Sequence, residues 1–274
     1  MPQTVLITGT STGFGKATAE HFAAHGWNVV ATMRDPASGD ALAALPGVLV
    51  NRLDVQDLSS IEQAIAEGIE RFGAIDAVVN NAGFGLFGLF EATPREKIQE
   101  QFDVNVFGAM DVIRAILPHF RARKAGTIVN VSSGAGVFGL PMIPLYTASK
   151  FALEGFSESL SYELASQGIA VKIVEPGGVL DTGFGSRSAS EAGRMNVPAD
   201  YEAFATATLK VFEGLRSKRL ATSRDVAEVI FGAVTDGTNR LRYLATEDIR
   251  PLVEARRQTS EEAYMALMRQ SFSV

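Results

Sequence analysis

Six short runs rich in β-branched residues, separated by helical patterns, constrain this chain more than any other feature. The runs are Val5–Thr8, Asn28–Met33, Val48–Leu53, Ile75–Asn80, Thr127–Ser132 and Ala170–Glu175. Among them, Phe14–His25, Leu58–Phe72, Pro94–Arg123 and Tyr146–Ser166 repeat apolar residues at spacings of three and four, which predicts helices. Strands that alternate with helices pair in parallel through crossovers, and a parallel sheet buries both faces. The expectation is an α/β protein: one domain over residues 1–274, with a doubly wound sheet of about seven mainly parallel strands and helices on both faces. A last strand is expected at Arg240–Ala245 and a last helix from about Glu247 to Arg269. The small, polar and charged stretch Thr182–Ser223 reads as a mobile insertion with one or two helices, a lid over the carboxyl ends of the strands.

Composition narrows the function classes. With 46% hydrophobic and 20% charged residues there is no disorder signature. A net charge of −6 without a basic stripe argues against a nucleic-acid partner. The absence of cysteine removes disulfides and thiolate metal sites and fits a reducing cytoplasm. No apolar stretch reaches the length of a membrane span, and Val5–Thr8 reads as a buried strand rather than part of a signal. The expectation is a soluble cytoplasmic protein.

The first strand runs into Thr8-Gly9-Thr10-Ser11-Thr12-Gly13-Phe14-Gly15, and a helix follows at once. Glycines permit a tight turn and close backbone approach, and the amides and dipole of a helix start favour a pyrophosphate. The spacing is TGxxxGxG rather than GxGxxG, and here the sequence resembles the classical short-chain dehydrogenase/reductase family, whose fold is a Rossmann-type sheet. The family's other markers occur in order over about the first 180 residues: Leu53-Asp54-Val55, Asn80-Asn81-Ala82-Gly83, Asn105, Ser133, Tyr146-Thr147-Ala148-Ser149-Lys150 and Pro176-Gly177.

The resemblance implies a nicotinamide cofactor held by Gly9, Ser11, Thr12, Gly13, Phe14 and Gly15, with Asp54 and Val55 at the adenine. It also implies cofactor contacts from Asn81, Ala82, Gly83, Tyr146, Lys150, Pro176, Gly177, Val179 and Thr182. The catalytic set it implies is Asn105, Ser133, Tyr146 and Lys150, with Asn105 positioning a proton-relay water and Lys150 also holding the nicotinamide ribose. The family's PGxVxT has Asp181 at its last place here and Thr182 one later, so either the loop bulges or that contact is lost.

Tyr146 and Lys150 also make sense on their own. A four-residue separation sets both on one helix face, and an ammonium favours a nearby phenolate, so Tyr146 is expected to act as proton donor or acceptor near pH ~7. Ser133 would hydrogen-bond a substrate carbonyl as charge develops on it. After strand two, Met33 stands where an acidic residue binds the ribose of NAD, and Arg34 follows, as suits the 2′-phosphate of NADP. Alternatively, Arg34 pairs with Asp35 on the surface. NADP is the expected cofactor, with NAD possible.

The apolar segments Phe84–Gly88 and Val137–Met142, with Val179 and Leu180, suggest a greasy pocket or ordinary core. The wording ATMRD and NNAGFGLFG is similar to the branch with 17β-hydroxysteroid and retinol dehydrogenases, which implies a medium-sized apolar ketone or alcohol. His21 and His25 have the spacing of a zinc pair without a third ligand and read as surface residues, so no metal is expected. Phe102, Val106, Met110, Ile113 and Leu117 form a stripe that faces either the core or a partner subunit. The family's homodimers and homotetramers are the implied assembly. A nucleotide-sugar epimerase would suit a TGxxGxxG turn and a longer chain, and a non-catalytic nucleotide sensor would lack the Tyr and Lys.

Overall fold

The computed structural model describes residues 2–179, 181–182, 188, 198–216 and 221–272. Its strands are β1 (Thr4–Thr8), β2 (Asn28–Met33), β3 (Val48–Arg52), β4 (Ala77–Asn80), β5 (Gly126–Val131), β6 (Ile169–Glu175) and β7 (Arg242–Leu244). They form one sheet in the order β3-β2-β1-β4-β5-β6-β7, and every pairing is parallel. The order reverses between β1 and β4, the switch point at which doubly wound sheets open a crevice.

The helices are α1 (Gly13–Ala24), α2 (Asp40–Ala43), α3 (Leu58–Phe72), α4 (Arg95–Phe102), α5 (Gly108–Arg123), α6 (Pro144–Ala165), α7 (Glu202–Arg216), α8 (Ser223–Thr235), α9 (Arg250–Gln258) and α10 (Glu261–Phe272). Successive side chains on a strand point to opposite faces, so each strand feeds two cores. On β1, Val5 and Ile7 pack in one core with Phe22 of α1 and Val226 and Ile230 of α8. Leu6 enters the other, with Ile61 of α3, Ile116 of α5 and Leu160 of α6.

The helix expected over Pro94–Arg123 is interrupted by a π turn at Asp103–Phe107. Its apolar stripe is also displaced by one residue. Val106 and Ile113 are buried, but Phe102, Met110 and Leu117 are only half-buried, and the inward line runs through Gln101, Asn105, Ala109, Val112, Ile116 and Phe120. Two buried amides lie on that line because they bond the loop after β4, which an apolar pattern cannot reveal: Gln101 Oε1 accepts from Leu86 N at 2.9 Å and Asn105 Oδ1 from Phe84 N at 3.0 Å.

The single helix expected from Glu247 is broken. A 3₁₀ turn covers Glu247–Ile249, and α9 and α10 are parted at Thr259-Ser260, where the Thr259 hydroxyl donates to Ala255 O at 2.7 Å and Ser260 Oγ accepts from Ala263 N at 3.3 Å. Hydroxyls that bond the main chain end one helix and start the next. Of the expected lid, residues 183–187, 189–197 and 217–220 lie outside the described residues, as does Leu180; the described part holds a 3₁₀ turn at Ala199–Tyr201 and α7. Among the described residues no helix is long and apolar enough to cross a membrane.

Candidate active site

The crevice is built on the carboxyl ends of β1, β4, β5 and β6. Thr8, 1% exposed, ends β1, and its hydroxyl oxygen accepts from the amides of Asn81 at 3.0 Å and Ala82 at 2.9 Å. Asn81 Nδ2 returns two hydrogen bonds, to Thr8 O at 2.9 Å and Gly9 O at 3.1 Å. The loop after β4 and the glycine turn are therefore one hydrogen-bonded unit. Gly13 has φ +56, and a Cβ at Gly15 would lie 2.2 Å from Gly9 O and 2.5 Å from Asn81 Nδ2. No side chain fits at that place.

The start of α1 lacks the capping devices seen on α3 and α8. Thr12 makes no side-chain cap and the first turn holds no acidic residue, whereas Asp57 caps α3 and Thr222 and Asp225 form a capping box on α8. Ser11 and Thr12 are exposed beside it. An uncapped helix end behind a turn with glycine at 9, 13 and 15 suits a diphosphate, so these residues fit a dinucleotide.

Ser133 follows β5 and caps the 3₁₀ turn Gly134–Gly136, its Oγ accepting from Ala135 N at 3.1 Å. Its hydroxyl also hydrogen-bonds Tyr146, which is 9% exposed at the start of α6. Lys150, one turn on, lies with Nζ 5.8 Å from the Tyr146 ring centre and donates to Val131 O at 2.8 Å. Burial pushes the Tyr146 hydroxyl up to about 12, against the Ser133 hydrogen bond, and pulls Lys150 down to about 8, against the Glu154 carboxylate. This differs from the expectation of a tyrosine eased toward neutrality by its lysine. Desolvation of both groups, invisible in their spacing, outweighs the attraction.

Asn105 sits within the π turn. Its Nδ2 donates to Phe84 O at 2.9 Å and Ser149 Oγ at 3.1 Å, and Ser149 Oγ donates to Tyr146 O at 2.7 Å. The amide thus braces the start of α6 against the loop after β4. Further along the helix, Asn80, Asn130 and Ser157 form a buried chain, with Asn80 Nδ2 to Asn130 Oδ1 and Asn130 Nδ2 to Ser157 Oγ both at 2.8 Å.

The loop after β6 is anchored from β7. Gly177 N donates to Thr246 Oγ1 at 2.8 Å and Gly178 N to Asp248 Oδ2 at 3.0 Å. Thr246 and Asp248 went unnoticed in the sequence because nothing local marks a contact about 70 residues away. Asp181 Oδ1 accepts from Ser223 N at 2.8 Å, tying the loop to the first residue of α8. The Thr182 methyl faces Gly13, where a Cβ would meet it at 3.5 Å. Thr182 thus lies across the glycine turn.

At the adenosine end, Met33 is buried with its Cε over Gly39, where a Cβ would meet it at 2.8 Å. Arg34 is exposed and makes no ion pair among the described residues, and Asp35 instead caps Ala37 N at 3.1 Å, so the Arg34–Asp35 surface pair is not formed. Asp54 Oδ1 accepts from Gln56 N at 3.1 Å, and Val55 is packed where a Cβ on Gly108 would fall, 2.6 Å from its own.

Several residues of the expected greasy mouth belong to cores instead. Phe84 and Leu86 pack with Leu145. Val137 and Phe138 pack with Ile249, Val253, Tyr264 and Met268, because the 3₁₀ turn directs them under α9 and α10. Phe87 faces the expected lid, its ring 5.5 Å from that of Phe212 on α7, and Ser188 Oγ donates to Gly85 O at 2.7 Å. The His25 ring stacks on His21 at 4.3 Å and lies 4.6 Å from Phe231, and among the described residues no three side chains are grouped to hold a metal ion.

A family model described as short chain dehydrogenase matches residues 3–192, and the chain belongs to that family. It is 36% identical over 244 residues to an uncharacterized oxidoreductase of Schizosaccharomyces pombe, covering 88% of this chain and 100% of the relative. A 3-ketodihydrosphingosine reductase of Bacteroides thetaiotaomicron is 38% identical over 213 residues, 77% of this chain and 76% of that enzyme. Human retinol dehydrogenase 8 is 41% identical over 188 residues, 65% of this chain and 60% of that enzyme.

Among solved structures, a short-chain dehydrogenase from Streptomyces avermitilis superposes with a TM-score of 0.81 at 29% identity, covering 100% of this chain and 96% of that one. A short chain dehydrogenase/reductase from Burkholderia phymatum in complex with NAD gives 0.79 at 27%, covering 93% and 92%. ElxO with NADP bound gives 0.74 at 25%, covering 89% and 97%. The protein is an oxidoreductase of the short-chain type, a class acting on CH–OH and carbonyl groups.

Proposed function

We propose that the protein is an NADP(H)-preferring reductase of a medium-sized, largely apolar ketone, with Tyr146 as proton donor, and that it runs the reverse oxidation when driven. The observation that carries this reading is the buried Tyr146 hydroxyl against Ser133 after β5, with Lys150 one turn away and the uncapped start of α1 after β1, two strands along the sheet. A phenol pushed up to about 12 stays protonated at physiological pH, the state that gives a proton to a carbonyl oxygen.

A bound reduced nicotinamide supplies the hydride. Ser133 donates a hydrogen bond to the carbonyl oxygen and steadies its growing charge, Tyr146 delivers the proton, and Lys150 steadies the phenolate left behind. The Asn105 side-chain amide is engaged with Phe84 and Ser149, so a relay water held at Asn105 would meet its main chain rather than its side chain. The unpaired Arg34 supports NADP, as a guanidinium matches the 2′-phosphate. Phe87, Phe212 and the described part of the lid support an apolar substrate, as do relatives named for retinol and 3-ketodihydrosphingosine. A homodimer or homotetramer and a cytoplasmic setting complete the reading.

Turnover of a panel of aromatic ketones, followed by loss of reduced-nicotinamide absorbance with NADPH and with NADH, tests this. NADPH is expected to give the higher kcat/KM, and Tyr146→Phe to lose about 10²-fold or more in kcat while still binding NADPH. Full activity in that variant would reject Tyr146 as the acid, and parity of the two cofactors would reject the role given to Arg34.

A further inference from the structure

The α6 face that carries Tyr146 and Lys150 continues to Glu154, a carboxylate only 5% exposed, and then to Glu158. Arg242 of β7 reaches both. Its Nε donates to Glu154 Oε2 at 2.9 Å and its Nη2 to Glu158 Oε2 at 2.5 Å, while Nε lies 3.6 Å from Glu175 Oε1. Glu175, the fully buried last residue of β6, is gripped again by Arg257 of α9, at 3.1 Å and 2.5 Å on its two oxygens. Three carboxylates thus face two guanidiniums. Glu158 is half-exposed, so the buried carboxylates are Glu154 and Glu175, and Lys150, also buried, stands one helical turn before Glu154.

We infer that Glu154 is a positioning residue that keeps Lys150 in its ammonium form, as the anion linking the catalytic helix to a carboxylate–guanidinium cluster spanning α6, β6, β7 and α9. Glu154 Oε1 has no hydrogen-bond partner within 3.5 Å among the described residues, and the Ser132 hydroxyl is the polar group beside it. Beside it, a Cβ on Gly136 would fall 2.9 Å from Glu154 Cγ, 2.6 Å from Ser132 Oγ and 3.3 Å from Lys150 O, so the space around the carboxylate is tight and shared with the lysine's own turn. A charge that is buried without water to screen it acts strongly on its neighbours.

The groups around Lys150 are the Tyr146 phenol and Glu154 on α6 and the Val131 carbonyl on β5; Arg242 on β7, Glu175 on β6 and Arg257 on α9 lie beyond Glu154, and the turn Gly134–Gly136 adds no charge. Burial lowers the affinity of Lys150 for its proton and Glu154 opposes that fall. Glu154 itself is raised by burial and by Glu175, and lowered by Ser132 and Arg242.

The inference rests on Tyr146 and Lys150 being the reacting pair, so its test starts with a measurement free of turnover. Protein with lysine isotopically labelled at Cε is titrated by carbon NMR, the Lys150 signal being the one missing from Lys150→Met. Its midpoint is expected near about 8 in the wild type, about one pH unit lower in Glu154→Gln, and higher in Arg242→Gln, which leaves an excess of anions. The double variant should return toward the wild type, a recovery that mere damage to packing would not produce.

A midpoint in Glu154→Gln that stays put or rises overturns the inference. If that variant does not fold, Arg242→Gln decides alone, and no rise there overturns it. The high-pH limb of kcat/KM for ketone reduction should follow the NMR midpoints. Moving midpoints without turnover of any ketone would leave the cluster assigned and discard the role of Tyr146.

Discussion

Thr8→Val is nearly isosteric and removes only the hydroxyl that joins the end of β1 to the loop after β4. In the wild type that oxygen accepts from two amides, Asn81 N at 3.0 Å and Ala82 N at 2.9 Å. Leaving a shielded amide without an acceptor costs roughly 1–3 kcal/mol, and both amides are partly accessible, so about 1.5 kcal/mol each is reasonable. The added methyl group in a fully packed position contributes about 0.8 kcal/mol in return. The net loss is about 2 kcal/mol, a fall in Tm of about 4–8 °C for a chain of this size.

Thermal unfolding followed by circular dichroism, with Thr8→Ser beside it, measures this. Serine keeps the acceptor and gives up one methyl, a loss of about 0.8 kcal/mol. Thr8→Val should therefore melt below Thr8→Ser and also bind NADPH more weakly, because the glycine turn is released from its brace. A Thr8→Val protein that melts within about 1 °C of the wild type, or above Thr8→Ser, would refute the hydrogen-bond account.

Gly15→Ala should fold with a loss of roughly 1–3 kcal/mol and bind NADPH at least about tenfold more weakly by fluorescence titration, since the new Cβ meets main chain and a bonded amide rather than a flexible tip; wild-type affinity would show that the turn yields freely. Hydrogen bonds from Ser59, Arg52 and Ser60 hold Asp57 down to about 2 from its ordinary 3.8. The unfolded chain therefore takes up this proton at higher pH than the folded one, so the carboxylate stabilises the fold above about pH 4 and stops doing so as pH falls through about 2. Asp57→Asn should lower Tm at neutral pH and flatten its slope across that acid window, and an unchanged slope would remove Asp57 from the account.

The strands and the glycine turn were legible because burial on both faces forces continuous β-branched runs, and because a turn this close to Gly9 O forces glycine at 15. Neither depends on distant residues. What escaped was long-range or polar. The break at Thr259-Ser260 depends on two hydroxyls turning onto the main chain, and the displaced stripe across α4, the π turn and α5 depends on Gln101 and Asn105 being buried for their hydrogen bonds. The sequence left Phe138 open between pocket and core, and packing against residues of α9 and α10 decides for core. The four residues proposed to react were named from motif and spacing, but the burial that governs Tyr146 and Lys150 has no local signature, and neither does the link from Glu154 to Arg242, 88 positions later.

Thr246, Asp248 and Arg257 come late in the chain yet fasten the loop and strand end that form one wall of the crevice. During synthesis the first half of the sheet, with its glycine turn, can pair while later segments are still inside the ribosome. The far wall has no such freedom, for its anchors emerge last. Nascent protein would therefore hold the glycine turn and its brace well before it holds the far wall, and premature termination upstream of Arg242 would leave that wall without its anchors.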